Sequence, residues 1–384
     1  MNKKEIAEIR KLLTKDNCRL DRICGCYIDG HKEKKMEMRE AFLSLPEEEM
    51  FKYLDIFKKA LSGTLGKNLF NLDFPLEEEM GDGHQKSLLL LRDSELKDDA
   101  MLEAFYEKFL TTYLYPENYL ILLAHGSYDI PARGSDHLEM EDASEYVYHF
   151  ILCCICPVNL SKPGLCYDAD NNAFVDKLQD WMVQMPDLAF LFPAFNDRNT
   201  DLHSTLYYSR NADLLHPEIS EGILGCPLPS PAKDQKLAFN AVVEETFGGE
   251  CDFEVARTIH ENLQTLLHEK NDEAEPLTLD KQDLQRILED CGADQDQLLH
   301  FEEEYDQQAG QETSLMASNL TNTRTFEVKT PDITIHVSPD RTDLLETQII
   351  QGQECLVIPL TDEVEVNGIR IRSSLKTEET EDSL

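Results

Sequence analysis

The sequence has no long hydrophobic runs. Hydrophobic residues make up 41% of its 384 positions, but the longest apolar stretches, YLILLA and FILCCICPV, are far shorter than the ~20 residues that span a bilayer. The first residues, MNKKEIAEIRKLLTKDN, are basic but lack the apolar core of a signal peptide. These absences predict a cytoplasmic protein without membrane association, in which the eleven cysteines stay mostly reduced.

Positive charge is also scarce. The chain has 36 Lys and Arg against 75 Asp and Glu, a net charge of −39, and it shows no basic stripe interleaved with aromatic residues. Such a surface repels nucleic-acid phosphates and anionic lipids. Strong direct binding of nucleic acid is therefore not expected, whereas a protein partner, and a basic one in particular, is compatible with the charge. The alternative is that the charge serves solubility alone.

The negative charge is concentrated in one region. Residues 1–35 carry ten basic and six acidic residues, a net of +4, whereas residues 241–310 carry four basic and twenty acidic residues, a net of −16. Within that region, Glu302, Glu303 and Glu304 form an acidic tract that we expect to be exposed. The tract is either a docking surface for a basic partner or a solvated helix face.

The C-x-x-C spacing that is typical of zinc and redox sites occurs once in the sequence, from Cys153 to Cys156, and it is not repeated elsewhere in the chain. Four cysteines lie in HFILCCICPVNLSKPGLCYD: Cys153, Cys154, Cys156 and Cys166. In a strand, Cys154 and Cys156 could share a face and Cys153 could not. The apolar neighbours on both faces favour a buried central strand over a metal or redox site.

A second cysteine pair keeps one metal alternative open. Cys24 and Cys26 also share a strand face in the segment RICGCYID, so they could form a four-thiolate site with Cys154 and Cys156. That site requires the two strands to be neighbours, which the sequence does not show. We therefore assign no metal ligands and no cofactor.

One segment partly matches a calcium-binding loop. In YDADNNAFVDKLQ, Asp168, Asp170 and Asn172 hold the first, third and fifth positions of an EF-hand loop. However, Ala173 replaces the glycine of the sharp bend, and Gln179 replaces the glutamate that closes the coordination shell. Because Asp and Asn are equally suited to a turn between strands, a strand-to-strand turn is the favoured interpretation.

The phosphate-loop and nucleophile motifs are incomplete. In SGTLGKN only two residues separate Gly63 from Gly66, and Asn68 replaces the Ser or Thr that would hold magnesium. The segment fits a helix end at Gly63 better. His125, Ser127 and Asp129 in AHGSYD alternate along one predicted strand, which is not a convergent triad, and no G-x-S-x-G elbow occurs.

The histidines of HENLQTLLHE are two helical turns apart. His260 and His268 are too distant in sequence for the paired-histidine zinc geometry, and we expect them at the surface. The polar residues of the C-terminal β segment are expected to serve turns: Asp332, Asp340, Arg341 and Asp343.

Hydrophobic periodicity indicates an α+β protein. Residues 1–213 are expected to form a mixed α/β unit with a central sheet, and residues 214–310 an acidic helical region. Residues 311–372 are expected to form a small antiparallel sheet, and residues 373–384 a flexible tail.

Several local elements follow from the same patterns. We predict a helix over residues 2–15, a short helix in MREAFL, a helix in EMEDASEYVYHF, and a strand or short helix in KSLLLL. Asp280 is expected to cap a helix, and Asn367-Gly368 a tight hairpin turn.

Long segments of the chain resemble one known family. The segments MNKKEIAEIRKLLTKDNCRLDRICGCYIDG, FLSLPEEEMFKYLDIFKKALSGTLGKNL and ILCCICPVNLSKPG are similar to a family of clostridia and related Gram-positive anaerobes that is catalogued only as a domain of unknown function. The resemblance covers nearly the whole chain. It implies a bacterial cytoplasmic location, but it supplies no activity and no site residues.

The order of elements also resembles another group. The layout of LRDSELKDD, ENYLILLAHGSYDI and EISEGILGCPLPSPAKDQKLAFNAVVEET, followed by acidic helices and a closing β segment, is similar to that of proteobacterial nucleoid-associated proteins. With a charge of −39, this resemblance implies contact with a nucleoid or DNA-topology protein and not with the duplex itself.

Two functions fit the sequence. The first is a non-catalytic intracellular binding protein with a protein partner, for which a nucleoid-linked protein is one candidate. The alternative is an enzyme with a site on the predicted sheet of residues 118–210, whose catalytic residues the motifs do not reveal. A pocket joining His125, Asp129 and His203 would favour the enzyme. An exposed apolar or basic surface without such convergence would favour the binding protein. The oligomeric state is left open.

Overall fold

A computed structural model describes residues 1–133, 139–248, 251–270, 275–311, 313–359 and 364–371. The chain divides into two compact units. The first contains Met1–Leu237 and Asp272–Thr278, and the second contains Ala238–Asn271 and Leu279–Leu384. The domain limits at residues 213 and 310 were predicted from changes in sequence composition, and they stay predictions. The predicted tail at 373–384 lies outside the described residues.

The first unit is built on a large sheet. Its strands are β1 (Leu20–Ile28), β2 (Lys34–Ala41), β3 (Leu69–Asp73), β4 (Tyr119–Arg133), β5 (Glu139–Leu160), β9 (Leu188–Phe192) and β12 (Ser204–Ser209). They lie in the order β2-β1-β4-β5-β9-β12-β3, and every neighbouring pair is antiparallel. The short strands of this unit are β6 (Leu165–Asp168), β7 (Ala173–Asp176), β8 (Trp181–Val183), β10 (Ala194–Asn196) and β11 (Asn199–Asp201).

Helices cover both faces of this sheet. The helices of the unit are α1 (Lys3–Lys11), α2 (Glu47–Ala60), α3 (Leu76–Met80), α4 (His84–Asp93), α5 (Asp99–Thr112) and α6 (Pro217–Ile219). Apolar residues of α1 and α2 form one core with one sheet face. Apolar residues of α4, α5 and α6 form a second core with the other face. The result is a three-layer arrangement in which the central strands are buried on both sides, which confirms the predicted central sheet and the α+β class.

Local capping sets where the helices begin. The side chain of Asn2 accepts hydrogen bonds from the backbone of Lys4 and Glu5, and the carboxylate of Glu5 accepts one from the backbone N–H of Asn2, which completes a capping box for α1. Asp98 caps α5 by accepting hydrogen bonds from the backbone of Ala100 and Met101.

The structure corrects two local predictions and decides a third that was left open. The segment EMEDASEYVYHF, predicted as a helix, is part of strand β5. Its backbone pairs with β4, and burial alternates from exposed Val147 to buried Tyr148 and exposed His149, so strand pairing overrides the helical pattern. The predicted short helix in MREAFL is the end of β2 followed by one 3-10 turn, Phe42–Ser44. KSLLLL, left open between strand and helix, lies in α4.

The second unit is helical with small β hairpins. Helix α7 (Ala232–Phe247) crosses the limit between the units, and α8 (Phe253–Glu269), α9 (Lys281–Asp290), α10 (Gln295–Gln308) and α11 (Ala317–Leu320) follow. The two short strands β13 (Thr278–Leu279) and β14 (Leu315–Met316) pair with each other. The remaining strands form three antiparallel hairpins: β15–β16 (Phe326–Lys329, Thr334–Val337), β17–β18 (Glu346–Ile350, Gln353–Val357) and β19–β20 (Val364–Val366, Ile369–Ile371).

Two predicted signals of the second unit are confirmed. Asp280 caps α9 by accepting from the backbone of Asp283 at 2.8 Å. Asn367 and Gly368 connect β19 to β20, and both have left-handed backbone angles, with φ of 50° and 81°. That conformation is the one a two-residue hairpin turn requires.

Candidate interaction surface

The cysteine-rich stretch is the middle of strand β5. Cys153, Cys154 and Cys156 are each 0% exposed. Cys153 lies in the core of one sheet face, whereas Cys154 and Cys156 lie in the core of the other. Burial raises the pKa of all three thiols above the ordinary value, so they are neutral and poorly nucleophilic. The predicted buried strand is confirmed.

The second cysteine pair does not join them. Strand β4 lies between β1, which carries Cys24 and Cys26, and β5. Cys24 and Cys26 also contact the core of the face opposite to Cys154 and Cys156. Burial raises the pKa of the Cys26 thiol to about 12. The four-thiolate arrangement is therefore excluded, because two of its sulfurs would lie on each side of the sheet.

His125 lies on β4, between β1 and β5, and belongs to a small polar group. Its Nδ1 lies 2.7 Å from Oδ1 of Asp21, and its ring stacks on His149 with centroids 5.9 Å apart. His125 is 2% exposed. Ser127 lies further along the same strand and donates its backbone N–H to Arg19.

Asp129 and His203 are not part of this group. Asp129 is exposed on β4. His203 precedes β12, which is separated from β4 by β5 and β9, and its Nδ1 lies 2.7 Å from Oε1 of Glu79. The structure thus does not bring His125, Asp129 and His203 together, so the arrangement that would have favoured an enzyme is not formed.

The calcium-like segment is the tip of a β hairpin. β6 and β7 pair antiparallel on either side of it. The carboxylate of Asp168 accepts hydrogen bonds from the backbone of Asp170 at 3.0 Å and from the side chain of Asn171 at 2.6 Å, and bonds from Asn171 and Asp170 lower its pKa. Asn172 has a left-handed φ of 46° and accepts from Tyr167. The predicted strand-to-strand turn is confirmed, because these oxygens serve the turn.

The other motif residues have structural roles. Helix α2 ends at Ala60, three residues before the predicted end, and Gly66 takes the left-handed conformation of the following turn, with φ of 80°. The side chain of Asn68 donates to the carbonyls of Ser209 and Arg210 at 2.9 and 3.2 Å. These two hydrogen bonds connect the turn to the end of β12.

The remaining candidates lie in the second unit. His260 is half-buried and contacts Thr321 at 2.6 Å, whereas His268 is exposed. Only His268 therefore fits the predicted surface position. Glu302 and Glu303 are exposed and Glu304 is half-buried. The four polar residues predicted in turns lie in the β15–β16 turn or in a 3-10 segment after β16: Asp332, Asp340, Arg341 and Asp343.

The most unusual surface of the first unit is the segment that follows the centre of β5. Residues 160–185, which we call the arm, contain the hairpin β6–β7 and the strand β8. Ten large apolar side chains of the arm are between 41% and 81% exposed. They are Leu160, Leu165, Tyr167, Phe174, Val175, Leu178, Trp181, Met182, Val183 and Met185.

The arm is held firmly at its root. Strand β8 pairs with the last residues of β5. The backbone N–H of Ser161 donates to Asp180 at 2.8 Å, the hydroxyl of Ser161 accepts from the backbone of Asp180 at 3.1 Å, and the side chain of Gln179 donates to the carbonyl of Ser161 at 2.9 Å. The apolar side chains are thus presented by an ordered element.

The hairpin of the arm has a mainly apolar face. The register places Tyr167 opposite Phe174 and Leu165 opposite Asp176, and the rings of Tyr167 and Phe174 meet edge to face at 5.8 Å. Leu165 is 74% and Phe174 72% exposed. Within the described part of the chain, no other segment covers this face. In soluble proteins, exposed apolar patches of this kind mark binding surfaces.

A search for related proteins identifies a family. Residues 1–369 match the model of a family described as a domain of unknown function, DUF4317. The chain belongs to the DUF4317 family. This confirms the predicted resemblance to a domain of unknown function. No curated protein and no solved structure matches the chain.

The features above are thus those of a DUF4317 member, and the family description assigns none of them a role. Among the described residues, no helix is long and apolar enough to cross a membrane, and no group of three or more His, Cys, Asp or Glu side chains is placed to hold a metal ion.

Sequence reasoning missed the arm. The signal was present, because apolar strand-forming residues flank the Asp-Asn turn on both sides in LCYDADNNAFVDKLQDWMVQM. Periodicity cannot show, however, whether such residues face a core or solvent. Here β6 and β7 pair only with each other, and none of the described helices packs on their exposed side chains.

Proposed function

We propose that the protein is a non-catalytic interaction protein and that the arm is its contact surface for a protein partner. The observation that carries this proposal is the set of ten exposed apolar side chains on one ordered segment of residues 160–185. Single exposed apolar residues are common on soluble proteins, but a contiguous group is characteristic of a binding site.

The size of the surface supports a stable interaction. Aromatic side chains present roughly 150–250 Å² each when fully open. The three aromatic side chains of the arm, Tyr167, Phe174 and Trp181, are 57%, 72% and 57% exposed and together offer on the order of 400 Å². A typical specific interface buries about 800 Å² per partner. The arm is thus large enough to serve as the centre of such an interface.

The chemistry of the arm points to a protein and not to a lipid surface. Its tip carries Asp168, Asp170, Asn171 and Asn172, all at the turn. Insertion of the hairpin into a bilayer would bury these carboxylates, which is costly. A protein surface can contact the apolar face while the tip stays in water.

The negative charge of the chain adds a preference among partners. A chain with a net charge of −39 attracts basic proteins over longer distances, and this attraction raises their rate of association. The layout similarity to nucleoid-associated proteins makes a protein bound to the nucleoid one candidate, contacted through protein surfaces and not through DNA.

The arm can be tested by affinity purification from the cells that make the protein. Partners recovered with the wild type should be lost with Leu165→Asp/Phe174→Asp. The matched control is Leu43→Asp/Leu76→Asp, since Leu43 and Leu76 are 68% and 72% exposed outside the arm. Equal recovery with the arm variant and with the wild type would overturn the proposal.

The basic-partner preference has its own test. Replacement of Glu302, Glu303 and Glu304 by Gln should leave folding intact, because the tract is largely exposed. Association with a basic partner recovered through the arm should become slower, most strongly at low salt. Unchanged association rates across a salt series would leave solubility as the role of the tract.

A second candidate function rests on the group around His125. The Asp21–His125 pair resembles the base-and-orienting-carboxylate arrangement of general-base catalysis. The pair lies near Glu95, whose pKa is lowered first by its hydrogen bond with Lys97 and also, more weakly, by the charges of His125 and His149. Glu95 and Leu96 both have left-handed backbone angles, with φ of 53° and 55°, and strain of this kind is frequent at functional sites.

This enzyme alternative predicts a chemical change that depends on His125. A small-metabolite extract incubated with the wild-type protein should gain a product that is absent with His125→Gln. If the two extracts stay identical by mass spectrometry, the alternative is wrong.

A further inference from the structure

We infer that helix α3 (Leu76–Met80) is a pH-sensitive strap of the first unit, which is held down by the contact between Glu79 and His203 and released when His203 loses its charge. The inference is independent of the arm and goes beyond the proposed function, because it assigns a conformational switch to a different part of the unit. It is carried by the exposure of α3, by the two contacts that hold it, and by the acidic surroundings of His203.

Helix α3 has little apolar packing to hold it in place. The structure describes all five of its residues, and each of them is at least partly exposed. Its two apolar side chains, Leu76 and Met80, are 72% and 86% exposed. The neighbouring helices α4 and α5, in contrast, bury apolar side chains in the core. Polar contacts therefore decide whether α3 stays docked, and segments with so few buried apolar contacts open with small free energies.

The first contact is an anchor that does not require a charged histidine. The carboxylate of Glu78 accepts a hydrogen bond from the backbone N–H of His84 at 2.6 Å and lies 3.0 Å from the ring Nδ1 of the same residue. Gly83 and Gly225 leave room for it, since a Cβ at these positions would lie 2.1 Å from Oε2 and 2.8 Å from Cδ of Glu78. Burial acts to raise the pKa of Glu78, but the bonds from His84, helped by the charge of Lys108, lower it below 4.5. The anchor thus stays ionised and bonded at neutral pH.

The second contact is the one that titrates. Nδ1 of His203 lies 2.7 Å from Oε1 of Glu79. The backbone of His203 is fixed separately, because its N–H donates to Asp201 at 3.0 Å and its carbonyl accepts from Phe74 at 2.9 Å. The hydrogen bond and the charge of Glu79 raise the pKa of His203 above 6.5. The attraction is therefore complete below pH 6.5 and is lost as the pH rises through the raised value.

The charged groups that act most strongly on His203 are all acidic. Besides Glu79 of α3, they are Asp201 of β11 and Asp73 of β3, which also raise its pKa. Burial acts to raise the pKa of Asp201, but hydrogen bonds from neighbouring side chains outweigh burial and lower it. The amino group of Met1 also faces Asp73 and Asp201, and burial lowers its pKa, so that it loses its charge in the same direction. Once His203 is neutral, Glu79 faces like charges, and attraction turns into repulsion.

The strap thus has one lasting anchor at Glu78 and one switch at Glu79. It is docked while His203 is charged, and it is pushed from the start of β12 when His203 is neutral. The change alters the shape and charge of this surface, whereas the buried side chains of α4 and α5 keep the rest of the layer in place.

The experiment is hydrogen–deuterium exchange of the full chain at about pH 6 and about pH 8.5, on either side of the range in which histidines titrate. The rates are corrected for the intrinsic pH dependence of exchange. Protection of residues 75–83 in the wild type should then be about two- to five-fold lower at the higher pH, which is the range for one exposed ion pair. Residues 99–112, the α5 helix, are the internal reference and should keep the same protection at both values.

Three variants separate the switch from a structural role. His203→Lys keeps a positive charge at both pH values and should keep α3 protected at both. His203→Gln carries no charge and should give low protection at both. Glu79→Gln removes the repulsion, so that protection should no longer depend on pH. The matched control is His268→Gln, which changes an exposed histidine of α8 and should behave as the wild type. Far-ultraviolet circular dichroism checks that each variant is folded.

Two results would overturn the inference. One is a wild type in which corrected protection of residues 75–83 is the same at both pH values, whether high or absent. The other is a pH dependence that persists unchanged in His203→Gln and His203→Lys, because another group would then be responsible for it. Neither result bears on the arm, so that the strap and the proposed interaction function stand or fall separately.

Discussion

Between the centre of strand β5 and strand β6, the chain passes from one environment to its opposite within a few residues. Cys154 lies at its centre with 0% exposure between two helix layers, whereas Cys166, twelve positions later, is exposed on the arm. Both positions are cysteines on β strands with apolar neighbours. The comparison teaches that the layers packed on a strand, and not its composition, decide whether its residues are structural or available for contact.

The largest expected difference between the two environments is in thiol reactivity. Cys166 should react with a thiol reagent in the native protein, whereas Cys153, Cys154 and Cys156 react only after unfolding. Since native domains are stable by about 5–15 kcal/mol, labelling at the centre should be slower by roughly a thousand-fold or more. Mass spectrometry of labelled peptides measures this.

The labelling comparison has a clear contrary result. Rapid native labelling of Cys154, or one tightly held zinc ion per chain by elemental analysis, would show that the centre of β5 is a site and not a core. Full labelling of all thiols in urea is the control that the reagent reaches each position.

The next difference is in packing energy. Leu152 is 0% exposed at the centre of β5, and Leu165 is 74% exposed on the arm. We expect Leu152→Ala to lower the free energy of unfolding by about 2–5 kcal/mol. Leu165→Ala should change it by at most about 0.5 kcal/mol in the monomer. Urea titrations at low protein concentration test both, and equal effects would mean that the arm packs on its own chain.

The smallest expected effect concerns an exposed ion pair. The hydrogen bond and charge of Glu79 raise the pKa of His203 above its ordinary value of 6.5. The pairing therefore stabilises the fold below pH 6.5, and this contribution is lost as the pH rises through the raised value. NMR titration should show the raised pKa, and Glu79→Gln should return it toward 6.5. If Glu79→Gln leaves the pKa of His203 unchanged, the pairing is contradicted.

The sequence allowed the buried parts of the fold to be predicted. Cysteine flanked by Ile and Leu indicated the centre of β5, Asp280 a helix start, and Asn367-Gly368 a hairpin, because these are local rules of burial, capping and turns. The strand at EMEDASEYVYHF was missed, since its pairing with β4 is a contact between segments. The arm was missed for a related reason, because exposure depends on which layers cover a strand.

The measurement that tests the central claim most directly is photo-crosslinking from the arm in the cells that make the protein. A photoreactive phenylalanine analogue at Phe174 is compared with the same analogue at Leu43, since the two positions are 72% and 68% exposed. We predict a discrete protein adduct at position 174 and none at position 43. Absence of any protein adduct at position 174, or the same adducts at both positions, would contradict the claim that the arm is the contact surface of this protein.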